Sequence, residues 1–119
     1  HCGKFVLIAE VDEGQHRSYT NCGHTQEEKK KGENRRMLEI SQIFIGIPVI
    51  WIRYNPDSFK DKENKSVKVD DKIRQETLVK WIKKCIRMDW ENGIHVKYLF
   101  YDEYDQTDIS FYQLTEKDL

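Results

Sequence analysis

Apolar positions fall in a few dense blocks separated by long charged stretches. Phe5-Val6-Leu7-Ile8 is a continuous apolar run, the pattern of a strand covered on both faces, and it predicts a first strand over 4–12. Polarity then changes abruptly. Residues 13–19 read as an acidic turn around Gly14, and 20–34 read as a loop with at most a short charged helical turn over 26–31. Met37, Leu38, Ile40 and Phe44 recur at helical spacing and predict an amphipathic helix over 34–44, with Asn34 as its N-cap and Gly46 at its end. The run I-P-V-I-W-I-R-Y over 47–54 is rich in β-branched and aromatic residues and predicts a second strand, stopped by Asn55-Pro56-Asp57. Residues 57–69 form a charged loop in which only Phe59 is a core candidate. Ile73, Leu78, Trp81, Ile82, Cys85 and Ile86 predict a helix over 71–90, closed by Asn92-Gly93. A third strand follows over 94–101, and Ile109, Phe111 and Tyr112 suggest a last edge strand.

Strand, helix, strand in this order predicts a right-handed parallel crossover. In such sheets chemistry gathers at the carboxyl ends of the strands. Those ends are Glu10-Val11-Asp12 and Arg53-Tyr54-Asn55, so the acids and the arginine are expected to be neighbours. Side chains alternate along a strand, which puts Glu10 and Asp12 on one face. Two carboxylates leaving water side by side need a compensating positive charge, and a divalent cation is the usual one. The plainer reading of the same residues is a solvated acidic turn at Gly14.

With 119 residues there is room for a single domain, and it has no internal repeat. A net charge of -1 excludes a protein that coats nucleic acid through a global basic field. The basic residues are nonetheless clustered: Lys29-Lys30-Lys31 with Arg35-Arg36, and Lys80, Lys83, Lys84 and Arg87 on one predicted helix. Taken alone, such runs are solvated surface. Three cysteines make no disulfide framework and no apolar run is long enough to cross a bilayer, so the expectation is a soluble intracellular protein with no membrane partner. Cys2, His16, Cys22 and His24 could hold zinc, but their spacing is irregular against the paired clusters of structural zinc sites.

Two blocks carry a family likeness: A-E-V-D-E-G-Q-H-R-S-Y from Ala9 to Tyr19, followed by Arg36-Met37, and I-R-Y-N-P-D-S-F from Ile52 to Phe59. Together they resemble the PD-(D/E)XK endonuclease superfamily, nearest to the very-short-patch-repair-like endonuclease domains of large DNA viruses and protists. The resemblance implies a restriction-endonuclease-like α/β fold, a mixed sheet with flanking helices, acting on DNA with magnesium or manganese. It places Glu10 and Asp12 as metal ligands, Gln15 and His16 with them in the catalytic set, and Arg36 and Arg53 on DNA phosphates. Asp12 stands where the family's lysine usually stands. The family also carries an acidic residue on a preceding strand, and His1 to Lys4 contain none, so the expectation is a domain lacking the first element of its core. The alternative is a catalytically inactive nuclease fold that serves as a nucleic-acid-binding or structural subunit, with protein or RNA partners.

Overall fold

The computed structural model describes residues 4–12 and 26–119. Four strands form one mixed sheet in the order β1-β2-β5-β6, with β1 at Val6–Val11, β2 at Val49–Tyr54, β5 at Ile94–Leu99 and β6 at Tyr112–Leu114. The first three strands are parallel and β6 is antiparallel to β5. A short hairpin, β3 (Phe59–Lys60) with β4 (Ser66–Val67), stands apart from the sheet. Among the described residues no helix is long and apolar enough to cross a membrane.

The central strand β2 is buried along its whole length, as its unbroken V-I-W-I-R-Y run requires. Alternation along it divides the core in two. Val49 and Trp51 face one way, where α1 (Gln26–Ser41) packs Met37 against them with Val96 and Leu114. Ile50, Ile52 and Tyr54 face the other way, where α2 (Asp71–Arg87) packs Trp81 and Cys85 against them with Leu99 and Phe100. The two helices therefore cover opposite faces. Both crossovers step across the sheet in the same direction, from β1 to β2 and from β2 to β5. Crossovers that step one way with helices on opposite faces have opposite hands, so the expected right-handed crossover holds for only one of them.

Several boundaries differ from the sequence expectation. The helix expected at 34–44 begins eight residues earlier, at Gln26, and gives way to a 3-10 turn at Gln42–Phe44. Asn34 is then not an N-cap but a buried mid-helix residue whose Nδ2 donates to the Asp118 carbonyl oxygen at 3.3 Å. The polar sequence of the first two turns hid them, because a helix that meets the sheet only at its far end needs no apolar stripe there. The second helix stops at Arg87 rather than at 90. Ile73 and Ile86, expected in the core, are exposed at 54% and 58%. The third strand ends at Leu99, and the last strand is Tyr112–Leu114, leaving Ile109 in solvent. The first strand is only half buried, because it lies at an edge of the described sheet.

Candidate active site at the carboxyl edge of the sheet

Register aligns the site. Glu10 of β1 lies beside Arg53 of β2, and Arg53 lies beside Tyr98 of β5. All three project from the α1 face, and Asp12 follows two residues after Glu10 on that face. Its backbone N–H continues the ladder, donating to the Tyr54 carbonyl oxygen at 2.7 Å. From above, α1 brings Glu33 and Arg36 down onto the same edge, three residues apart and so neighbours on one helix face.

Arg53 sits at the centre and is 3% exposed. Its Nη2 donates to Glu33 Oε2 at 3.2 Å and lies 3.2 Å from Asp12 Oδ2 and 3.4 Å from Glu10 Oε1. Arg36 bridges Glu10 and Glu33, closely to the first and at 3.2 Å to the second. Tyr101, just past β5, donates its hydroxyl to Asp12 Oδ2 at 2.6 Å. Tyr98 stacks edge-on against Tyr101 with centroids 5.0 Å apart. Three carboxylates against two guanidiniums leave these five groups with a formal charge of one negative unit.

The electrostatics follow from burial and pairing. Burial works to lower the Arg53 pKa, but the carboxylates of Asp12, Glu33 and Glu10 outweigh it and hold the pKa raised. The hydrogen bond to Glu10 leads the set of contacts that raise Arg36. Burial pushes the Tyr101 phenol far above its ordinary value, against the pull of Arg53, so Tyr101 stays a neutral donor to Asp12. Burial raises Tyr98 in the same direction.

A second group of residues fixes the loop that leaves β2. Asn55 is fully buried. Its Nδ2 donates to the Phe100 carbonyl oxygen at 2.8 Å, and its Oδ1 accepts from the Asp57 N–H at 3.0 Å. The side chain of Arg74, 1% exposed, reaches from α2 to the Asn55 carbonyl oxygen at 2.7 Å and the Val69 carbonyl oxygen at 2.9 Å. Its guanidinium lies over the Phe100 ring, 5.2 Å from the centroid. The Asn-Pro-Asp segment is thus tied to the end of β5.

Of the expected site residues, Glu10, Asp12, Arg36 and Arg53 converge. Gln15 and His16 lie outside the described residues, as do Cys2, Cys22 and His24 of the zinc alternative. Glu33, Tyr98 and Tyr101 were not assigned to the site from sequence, and Asn55 was read only as the end of the second strand. Glu33 precedes Arg36 by three positions, and a helix extended to Gln26 would have placed it on the site face. Among the described residues no three His, Cys, Asp or Glu side chains are grouped for a metal ion. Glu10, Asp12 and Glu33 are instead spread around Arg53, each through one oxygen. The oxygens that meet the guanidiniums are Oε1 of Glu10, Oδ2 of Asp12 and Oε2 of Glu33. Oxygen donors of this kind fit a hard divalent cation. No family model matches the chain, and no curated protein or solved structure matches it.

Proposed function

We propose that the carboxyl edge of this sheet is a phosphodiester-cleaving site acting on DNA with magnesium or manganese. One observation carries the reading: Glu10, Asp12 and Glu33 converge with Arg36 and Arg53 at the end of parallel strands, with acidic charge in excess. Magnesium, when bound, would lower the pKa of an attacking water and offset charge on the phosphate. Glu10 and Asp12 are the residues that would hold it. Tyr101 orients Asp12 through its hydroxyl. The two arginines divide their roles by exposure. Arg53 is enclosed and neutralises the carboxylates it touches, which fixes their geometry. Arg36 has 41% of its side chain exposed and can swing from Glu10 to a phosphate, where a guanidinium bonds through two parallel N–H donors. Gln15 and His16 complete the proposed catalytic set, with the His16 imidazole as the proton acceptor near neutral pH.

The second reading, an inactive nuclease fold that binds nucleic acid or serves an assembly, has its own observation. All three carboxylates already have a guanidinium partner, so the edge is electrostatically satisfied without a cation. A plasmid-nicking assay separates the two. The active reading expects nicking with magnesium or manganese, none in EDTA, and at least a hundredfold loss in Glu10→Gln, on the scale of removing a group that organises a metal-assisted reaction. Equal nicking by Glu10→Gln sinks the proposed site, and no nicking by the wild-type chain under any of these conditions favours the second reading.

A further inference from the structure

The outer face of α2 carries cations that neither the core nor the carboxyl edge uses. Lys72, Lys80, Lys83 and Arg87 line a shallow groove of about 1010 Å³ together with Val79, Met88 and one acid, Glu76. None of the four cations is ion-paired among the described residues. Lys84 rims the same groove and lies over the Trp81 ring, 4.7 Å from its centroid. Lys84 and Arg87 are in the last turn, where they favour the negative end of the helix dipole. That accounts for those two; Glu76, four positions from both Lys72 and Lys80 on the helix, offsets only one of the three remaining charges, Lys72, Lys80 and Lys83.

Position separates this face from the site above. Helix α2 covers the face of the sheet opposite α1. Its amino end is tied by Arg74 to Asn55 at the carboxyl edge. Its basic carboxyl end therefore lies toward the amino edge, where Gly93 meets Val49. From Lys72 to Arg87 the helix rises about 22 Å at 1.5 Å per residue, long enough to follow several phosphates of one strand. Four of the five groove cations are lysines, point charges suited to tracking a backbone without reading bases.

We infer that this outer face of α2 is a second, sequence-independent contact for a nucleic-acid phosphate backbone, apart from the carboxyl edge. The inference takes its ligand class from the reading above but does not depend on cleavage. It predicts that the domain grips duplex DNA at two surfaces and that removing the α2 cations weakens binding without altering the chemistry of the edge.

The test is binding of a random-sequence duplex oligonucleotide, by fluorescence anisotropy in EDTA across a salt series. The wild-type chain is compared with the triple variant Lys80→Glu, Lys83→Glu, Arg87→Glu. A charge-matched control, Lys60→Glu, Lys65→Glu, Lys68→Glu, changes the net charge equally on the hairpin side. Circular dichroism and thermal melting confirm the fold of each. The expected result is at least tenfold weaker binding for the α2 variant and a log–log salt slope reduced by about 0.9 per lost contact. The control is expected to change the slope by less than one contact. Equal effects in both variants mean that net charge alone is responsible and overturn the inference. An unchanged slope in the α2 variant overturns it too, and leaves the groove for an acidic protein segment. Because nothing is cleaved in EDTA, a chain that binds through α2 yet never nicks DNA would refute only the catalytic reading.

Discussion

Arg53 is the residue on which the carboxyl edge depends. It is enclosed, it meets three carboxylates through one nitrogen, and its Nε has no hydrogen-bond partner among the described residues. An orphaned donor in an enclosed side chain costs free energy that the ion pairs must offset. Arg53→Met should leave Glu10, Asp12 and Glu33 repelling one another without their central cation. The expected loss is about 3 kcal/mol in urea-unfolding stability, as for one partner removed from a buried pair. A loss within experimental error would show that Arg36, on Glu10 and Glu33, and Tyr101, on Asp12, hold the three acids without it. Cys85 makes the opposite case. It sits four residues after Trp81 on the core stripe and is fully buried, so it behaves as a small apolar residue. Burial raises its thiol from 9.0 to about 11, which argues against a reactive nucleophile.

At the scale of elements, the decisive links are few and polar. Trp51 donates its indole N–H to Ser41 Oγ at 2.9 Å, joining the end of α1 to the middle of β2. Asn55 joins the end of β2 to the end of β5, and Arg74 adds α2 to the same knot. Asn55→Ala would strand the Phe100 and Asp57 backbone groups and free the loop after β2. About 2 kcal/mol of stability should be lost, the scale of buried polar groups left unpaired. Amide exchange should quicken first at Asn55, Asp57 and the end of β5, before the helices. Uniform loss of protection would mean that the knot is part of the global unfolding unit instead. Lys97 is a further link. Burial lowers its pKa, and its ammonium is received by the carbonyl oxygens of Asp108 at 2.6 Å and Ser110 at 3.1 Å beneath the Trp81 ring. It thus holds the loop before β6 against the α2 face.

At the scale of the whole molecule, pH acts on the core at the alkaline end. Cys85, Tyr98 and Tyr101 are all raised by burial, so the folded state keeps protons that the unfolded chain has lost. A group of this kind favours folding below its unfolded pKa, and stability falls as pH rises from that value toward the folded one. For Cys85 the window runs from 9.0 to about 11. Its share is roughly 3 kcal/mol, from two pKa units at about 1.4 kcal/mol each. Thermal melting between pH 8 and pH 11, a span of about three units chosen to bracket this window, should show a falling melting temperature. Cys85→Ala should flatten part of that fall. An identical slope in the variant would assign the whole effect to the tyrosines.

Local order alone was enough for the parallel pairing of the first two strands, the burial of β2, the Trp81–Cys85 stripe and the meeting of Glu10, Asp12 and Arg53. The pairing follows from the strand-helix-strand connection, and the others from a period of two or 3.6 acting over a few residues, which a chain carries in its own order of side chains. The start of α1 was legible only as a short charged turn over 26–31, not as one helix continuous with 34–44. Its first turns are charged throughout, and what they contribute, Glu33 and Arg36 over β2, is set by where the helix lands on the sheet. Tyr98, Tyr101 and Asn55 entered the site through strand register and loop return, which join residues up to 89 positions apart. The placement of α1 and α2 on opposite faces was likewise decided only in three dimensions. Alternation along β2 offers two apolar faces and does not say which helix takes which. Local physics determined the elements and the acids at their ends. Packing decided which cations neutralise those acids and which were left facing solvent along α2.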